Sequence, residues 1–185
     1  MKILPIIFNY EDVKNIYPNI NGFYSFLKRS LNNRNIKQIK KGLYALVDPS
    51  TGNIYANKFQ IASRLFIDSY FSYHEALEYY GLATQSFISE FTYLSHVRVN
   101  PFDFDDIIFN SKKSTCELEI INNIKQNGVR VVSLERALVD SIDNLSLGGG
   151  LEEVENALEN VNKIDINKII KLLEFYDKAF LYQKV

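Results

Sequence analysis

Apolar residues recur at helical spacing near the amino terminus, and this is the clearest pattern in the chain. The intervals of three and four residues are typical of one buried face of an amphipathic helix. The inner positions are Phe23, Phe26, Leu27, Ser30 and Leu31. The positions turned away from them are Tyr24, Ser25, Lys28, Arg29 and Asn32. The spacing therefore predicts a helix from about Gly22 with a polar, basic face.

Two short extended segments follow this helix, at residues 36–39 and 43–47. They are joined through Lys40, Lys41 and Gly42, where glycine permits the positive φ of a tight hairpin and both lysines are expected at its exposed tip. A basic helix followed by a basic-tipped hairpin is typical of a winged helix-turn-helix, whose helix enters the major groove while the wing contacts phosphate. An ordinary solvated helix and hairpin is the alternative interpretation of the same pattern.

The segment before the helix carries its own start and stop signals. Asn9 is placed to cap a helix with Asp12 in a capping box, and Phe8 and Val13 are placed for a hydrophobic staple. Pro18 ends this helix, which we expect to run to about residue 17. Residues 1–8 are apolar, interrupted by a proline, and are interpreted as a short first helix or an arm.

Turn-forming residues at 48–52 predict a hinge between two domains, at residues 1–50 and 54–185. Capping residues and periodicity predict helices at 57–65, 72–80, 133–145, 151–161 and 166–183, with Ser72, Ser133 and Asp165 as caps and Glu75 completing a capping box. Residues rich in β-branched and aromatic types predict strands at 87–99, 104–110 and 128–132, with 115–125 ambiguous. The predicted fold class is α+β, an N-terminal winged helix-turn-helix followed by a mixed α/β C-terminal domain.

Composition narrows the function classes. Of the 185 residues, 46% are hydrophobic, which is ample for a packed core. The chain has no apolar run of ~18 residues and no signal-peptide pattern, so we expect neither a membrane span nor secretion. A lone cysteine, Cys116, fits a reducing compartment, and we expect a cytoplasmic protein with Cys116 packed as a small apolar side chain.

Charge is divided unequally along the chain. Residues 1–60 hold nine Lys/Arg against three Asp/Glu, a net of +6, whereas residues 61–185 hold 12 against 19, a net of −7. Such asymmetry favours a nucleic-acid-binding head joined to an acidic partner or effector domain. Candidate groove contacts are Tyr24, Ser25, Lys28 and Arg29, with Arg29 and Ser25 placed for base edges. Candidate phosphate contacts are Arg34, Lys37, Lys40 and Lys41.

The sequence also contains acidic residues and a histidine that are typical of metal sites. Carboxylates on or beside predicted strands raise the hypothesis of a metal-dependent nuclease, at Asp103, Asp105, Asp106, Glu117 and Glu119. The usual companion lysine is replaced by Ile121, and residues 103–106 equally resemble a solvated turn. His74 begins HEALE without a second histidine, so we expect a packed or surface side chain and no metal or other cofactor.

Two further segments have plain structural interpretations. The glycines at 148–150 lack the lysine and hydroxyl of a phosphate loop and are interpreted as a linker. A predicted acidic helix face is interpreted as solvated, or as a surface for a basic partner. It comprises Glu152, Glu153, Glu155 and Glu159.

Four stretches together resemble the AbiEi-like antitoxins of abortive-infection, type IV toxin–antitoxin systems. They are KFQIASRL (58–65), SYFSYHEALEYYGLA (69–83), VRVVSLERALVDSID (129–143) and GGGLEEV (148–154), and they follow the hairpin sequence RNIKQIKKGLYAL. The resemblance implies a winged helix that binds double-stranded DNA at the operator of its own operon. It further implies a non-catalytic C-terminal domain that counteracts a nucleotidyltransferase-like toxin in phage defence.

Two departures from this family pattern stand out. The first head helix is stunted, and the tail that normally continues past LYQKV is missing, so we expect a chain shortened at its C-terminus. The alternative to an antitoxin is a plain winged-helix transcription regulator whose second domain senses a ligand or forms a homodimer.

Overall fold

A computed structural model describes residues 4–66, 68–123 and 128–185. The chain forms two compact units, Met1–Leu65 and Phe66–Val185. Within the described residues the protein is mixed α+β, with eight helices and three small sheets. The predicted α+β class is therefore correct.

The first unit contains a three-stranded antiparallel sheet with the strand order β1-β3-β2. Its elements are β1 (Ile7–Phe8), α1 (Tyr10–Val13), α2 (Ile20–Asn32), β2 (Ile36–Lys40), β3 (Leu43–Leu46) and α3 (Lys58–Ala62). In β1, Phe8 pairs with Tyr44. The segment interpreted as a short helix or an arm thus ends as a strand, because its backbone completes the free edge of β3. Residues 1–3 lie outside the described residues.

An aromatic core joins these elements. Phe8, Val13, Phe23, Leu27, Ile36 and Tyr44 form one buried cluster. The staple pair Phe8 and Val13 is fully buried, and Asn9 and Asp12 form the expected capping box with hydrogen bonds of 3.1 and 2.8 Å. Helix α1 is shorter than expected, since it ends at Val13 rather than near residue 17. The carbonyl of Val13 accepts the N–H groups of both Ile16 and Tyr17, which turns the chain toward α2.

The first unit extends past the predicted hinge. Val47 bridges Ile54 across the turn at 48–52, so the chain doubles back onto the sheet there. Farther on, Arg64 donates to the Asp12 carboxylate, and the Lys40 ammonium donates to the carbonyl of Leu65. Residues 54–65, which we expected to begin the second domain, therefore belong to the first compact unit because these long-range contacts hold them there.

The second unit combines five helices with two small sheets in the part of the chain that the structure describes. Its helices are α4 (Tyr73–Tyr79), α5 (Leu134–Asp143), α6 (Leu151–Asn160), α7 (Ile166–Tyr176) and α8 (Ala179–Lys184). Its strands are β4 (Glu90–Ser95), β5 (Phe102–Phe104), β6 (Ile107–Lys113), β7 (Ile120–Asn123) and β8 (Val129–Val132). Strand β4 runs parallel to β6, β5 runs antiparallel to β6, and β7 pairs antiparallel with β8.

Two predicted elements are divided in the structure. In place of the single strand expected at 104–110, the structure has the hairpin β5–β6. The hairpin turns at Asp105 and Asp106, whose φ values of 57° and 62° suit a tight hairpin turn. The last helix, expected at 166–183, breaks at Asp177 in a left-handed conformation. The break allows Leu181 of α8 to join the buried cluster that contains Leu173 of α7. The ambiguous stretch 115–125 contains β7, and residues 124–125 lie outside the described residues.

No helix among the described residues has both the length and the apolar character needed to cross a bilayer.

Candidate nucleic-acid interface and buried polar network

Helix α2 presents the predicted groove contacts on one side. The Asn19 side chain caps the helix by accepting the Asn21 N–H at 2.9 Å. Phe23 and Leu27 are buried on the inner side, while Leu31, expected there too, lies at the margin and is 36% exposed. The four candidate groove contacts are all exposed, at Tyr24, Ser25, Lys28 and Arg29. Their spacing of one, three and one residues places them on a single strip of the helix surface.

The hairpin β2–β3 turns at Gly42, whose φ of +81° lies in the region that glycine adopts without strain. Lys41 is exposed at the turn, but Lys40 is half-buried. Its Nζ donates to the carbonyl oxygen of Leu65, and burial lowers the pKa of Lys40. The expectation that both lysines lie at an exposed tip is therefore wrong for Lys40, because the segment ending at Leu65 folds back against the end of β2.

The remaining phosphate candidates border one cleft. Arg34 and Lys37 are exposed and help line a cleft of about 500 Å³. One side of the cleft is formed by the end of α2 and the start of β2, and the other by the turn containing Pro49 and Gly52. Arg34 follows the helix with a φ of 57°, which turns the chain sharply into the hairpin. The structure thus brings Arg34 and Lys37 together at the base of the hairpin, while Lys41 lies at its far end.

The charge of the first unit is strongly positive. Residues 1–65 hold ten Lys/Arg and three Asp/Glu. Two of the three acids are engaged, since Glu11 pairs with Lys14 at 2.8 Å and Asp12 accepts from Arg64. Paired carboxylates offset their own partners, so the cations on α2 and the hairpin dominate the outward field of this unit.

The second unit contains a polar network that the sequence interpretation missed. Arg136 and Asp140 form an ion pair in α5, with Nε and Oδ2 3.3 Å apart. The Ser72 hydroxyl donates to Asp140 Oδ2 at 2.5 Å, and the Tyr176 hydroxyl donates to its other oxygen. Arg136 also donates to the hydroxyl of Tyr70 at 3.2 Å. The sequence did contain a signal for this ion pair, because an arginine and an aspartate stand four residues apart in a helix that is otherwise largely apolar.

The network corrects one predicted cap. Ser72 is the N-cap residue of α4, but its side chain makes no capping hydrogen bond, because its hydroxyl is committed to Asp140. Glu75, expected to close the capping box, instead accepts the N–H of Thr92 at 2.7 Å. The cap expected at Ser133 is confirmed, since its side chain accepts the Arg136 N–H at 3.3 Å.

Glu153 is a second buried acid whose position was wrongly expected. We expected it on a solvated helix face, whereas it is 2% exposed and accepts the N–H groups of Thr84 and Gln85 at 2.7 and 3.2 Å. His74 lies beside it, with Nε2 3.4 Å from the Glu153 carboxylate, and is 1% exposed. Glu152, Glu155 and Glu159 are exposed, as expected.

The glycines at 148–150 are also more than a linker. A Cβ on Gly148 would lie 2.8 Å from a Val154 methyl group, and one on Gly149 would lie 2.7 Å from the His74 ring. The absence of side chains at these positions therefore allows the chain to pass close to α4 and α6.

The proposed nuclease carboxylates do not gather into one cluster. No group of three or more His, Cys, Asp or Glu side chains placed to hold a metal ion occurs among residues 4–66, 68–123 and 128–185. Asp105 and Asp106 form a hairpin turn, Glu119 pairs with Lys168 at 3.0 Å, and Glu117 lies 3.2 Å from His96. Cys116 is buried, as expected, and its sulfur lies 3.9 Å from the Tyr176 hydroxyl.

Comparison of the chain with models of known protein families finds no match, and comparison with curated proteins finds none either.

Proposed function

We propose that the protein is a non-catalytic, DNA-binding antitoxin of the AbiEi-like kind, which represses its own operon and counteracts a nucleotidyltransferase-like toxin. The observation that carries the DNA-binding part is the exposed strip of Tyr24, Ser25, Lys28 and Arg29 on α2, followed directly by a hairpin with exposed Lys41. In this proposal α1 and α2 form the helix-turn-helix and β2–β3 form the wing.

The geometry of α2 suits the major groove. Its 13 residues span about 20 Å. A helix with its side chains is about 10–12 Å across, which matches the major groove width of about 12 Å. Arg29 is proposed to read a guanine edge through its two donors, and Ser25 a neighbouring base. Lys41, Lys37 and Arg34 would contact phosphates on either side, which contributes affinity without sequence information.

The antitoxin part rests on the second unit. The stretches 69–83 and 129–143 that resemble the antitoxin family supply Ser72, Arg136 and Asp140, which meet in one buried network. This arrangement gives a physical reason for serine, arginine and aspartate at those positions, because the three side chains satisfy one another inside the unit. Residues 66–185 hold 11 Lys/Arg and 19 Asp/Glu, a balance that favours a partner with a basic surface.

The DNA-binding proposal is tested by fluorescence anisotropy with the DNA upstream of the protein's own gene and a scrambled duplex of equal length. We expect the double variant Lys28→Ala/Arg29→Ala to bind the upstream DNA at least about ten-fold more weakly. Lys14→Ala is the matched control, since Lys14 is an exposed cation of the same unit that pairs with Glu11, and its affinity should change by less than about two-fold. If wild type, the double variant and Lys14→Ala all bound the upstream DNA with equal affinity, α2 would be excluded as the recognition helix.

The toxin proposal is tested separately by co-expression. If the neighbouring open reading frame encodes a nucleotidyltransferase-like protein that arrests growth, the full chain should restore growth. A variant that no longer binds DNA should restore it too, when expressed from an unrelated promoter. Failure of the wild-type chain to restore growth would favour the second candidate, a regulator whose second unit senses a ligand. Two adjoining clefts in the second unit are the observation for which this second candidate is kept.

A further inference from the structure

A basic cleft of about 650 Å³ lies in the otherwise acidic second unit. Its cations are Arg98, Lys112 and Lys113, and its neutral polar groups include Asn110, Asn144 and Ser146. Within the described residues, none of those that line this cleft is acidic. The lining of this concavity thus includes three basic residues, on a unit whose acids outnumber its bases by 19 to 11, and this local excess of positive charge favours an anion.

Lys112 is less exposed than Arg98 and Lys113. It is half-buried, and its ammonium lies 4.9 Å from the centre of the Tyr73 ring. Tyr73 itself has a φ of 55°, a left-handed conformation that is rare for an aromatic residue and that occurs preferentially at binding sites. Burial lowers the pKa of Lys112, although the carboxylates of Asp143 and Asp140 oppose this, and a bound anion would further stabilise its charged form.

A second cleft, of about 410 Å³, adjoins the basic one and shares the residues Thr92, Ser146 and Leu147. Its other walls include Phe87, which is 41% exposed, and the exposed carboxylate of Glu90. The Phe87 ring lies 4.3 Å from the imidazole of His74, which holds it on one side. This second cleft therefore offers an aromatic surface at Phe87 and a hydrogen-bond acceptor at Glu90.

We propose that the two adjoining clefts bind a nucleoside di- or triphosphate. The phosphate chain would lie against Arg98, Lys112 and Lys113, whose donors match phosphate oxygens. The base would stack on Phe87, and Glu90 would accept from its amino group or from the ribose hydroxyls.

The shape favours a small ligand over duplex DNA. The phosphates of a duplex lie on a convex surface, whereas Lys112 lies half-buried in a concavity that a flexible terminal phosphate chain enters more readily. The inference does not depend on the proposed DNA binding, since its residues all belong to the second unit.

The test is isothermal titration calorimetry of the full chain with ATP and with GTP in the presence of Mg²⁺. Inorganic triphosphate and a short duplex oligonucleotide are titrated separately for comparison. We expect saturable binding of at least one nucleotide, about ten-fold tighter than inorganic triphosphate, because stacking and the Glu90 contact add to the phosphate contacts. Phe87→Ala should remove this advantage and leave the binding of inorganic triphosphate unchanged.

Charge variants locate the site. Arg98→Ala/Lys113→Ala changes only exposed side chains and should weaken nucleotide binding about ten-fold or more. Lys112→Met keeps the length of the stem over Tyr73 and should have a similar effect. Two controls should change the affinity by less than about two-fold: Lys37→Ala/Lys41→Ala in the first unit, and Lys171→Ala on α7.

Three results would overturn the proposal. One is the absence of saturable nucleotide binding to the wild-type chain. Another is equal weakening by the Lys37/Lys41 variant and the Arg98/Lys113 variant, which would indicate nonspecific attraction to cations. The third is loss of duplex binding, but not of nucleotide binding, in the Arg98/Lys113 variant, which would assign the basic cleft to DNA.

Discussion

Arg136 and Asp140, one helical turn apart in α5, form an ion pair whose side chains are 1% and 4% exposed. Burial raises the pKa of Asp140, and the Arg136 guanidinium and the hydroxyls of Ser72 and Tyr176 oppose that rise. Arg136 in turn donates to the carbonyl of Leu118 at 2.5 Å. Because each partner is satisfied from several elements, the pair connects α5 with the start of α4, with α7 and with the chain before β7.

Removing one partner of this pair should destabilise the protein severely. We expect Arg136→Met to lower the free energy of unfolding by about 3–5 kcal/mol, because it leaves the Asp140 carboxylate buried without its cation. The measurement is urea unfolding followed by circular dichroism. Arg98→Met, which changes an exposed arginine of the same unit, should stay within about 0.5 kcal/mol of wild type. The double variant Arg136→Met/Asp140→Leu should lose less than Arg136→Met alone, and a larger loss would contradict the argument.

Glu153 should make stability depend on pH in the acidic range. Burial raises the pKa of Glu153, but the hydrogen bonds donated by Thr84 and Gln85, with the nearby His74, outweigh this and lower it overall. The pKa of Glu153 in the folded state therefore lies below the unfolded value of about 4.3. Its contribution to stability is complete when the pH is above about 4.3, and it is lost as the pH falls through the folded-state pKa. Glu153→Gln should therefore be less stable than wild type at pH 7, by about 1–3 kcal/mol, and the difference should shrink below about pH 4.

The control for this pH dependence is Glu155→Gln, an exposed glutamate on the same helix. Its unfolding free energy should follow that of wild type within about 0.5 kcal/mol from pH 7 to about pH 3. A difference between wild type and Glu153→Gln that stays constant over this range would show that the loss is one of packing rather than of charge.

Gly149 and Gly22 offer a matched pair of glycine substitutions. Gly149 has a φ of +93°, and a Cβ there would lie 2.7 Å from the His74 ring and 3.0 Å from the Glu153 side chain. We expect Gly149→Ala to cost about 2–4 kcal/mol through backbone strain and overlap. Gly22 lies in α2 with no atom near its Cβ position, so Gly22→Ala should stabilise the protein by about 0.5–1 kcal/mol. Thermal unfolding of both variants distinguishes these opposite signs.

Lys40 and Lys41, adjacent in sequence, should respond differently to substitution. Lys41→Met should weaken binding to the upstream DNA and reduce the salt-dependence slope by about 0.9, the value for one phosphate contact. Lys40→Met should leave that slope within error of wild type and lower the free energy of unfolding instead, by about 0.5–1.5 kcal/mol, because its ammonium bonds the Leu65 carbonyl. Anisotropy titrations at several salt concentrations, with urea unfolding, measure both. If Lys40→Met also reduced the salt-dependence slope, Lys40 would have to contact DNA phosphate, which would contradict this prediction.

Local signals in the sequence were sufficient for elements that depend on neighbouring residues. The capping box at Asn9, the caps at Ser133 and Asp165, the inner positions Phe23 and Leu27, and the turn at Gly42 all follow from side chains that act within a few residues of one another. The α+β class and the exposed polar strip of α2 were predictable for the same reason.

The tertiary structure alone decided which polar groups are buried and what they bind. The partner of Ser72 is Asp140, 68 positions away, the partner of Glu153 is Thr84, and Lys40 bonds the carbonyl of Leu65. Short-range periodicity carries no information about such pairings, because they form only when distant elements pack and exclude water from between them. The sequence by itself thus determined the local elements and their exposed charge. Long-range packing determined the burial of the Arg136–Asp140 pair, the extent of the first unit and the clefts of the second.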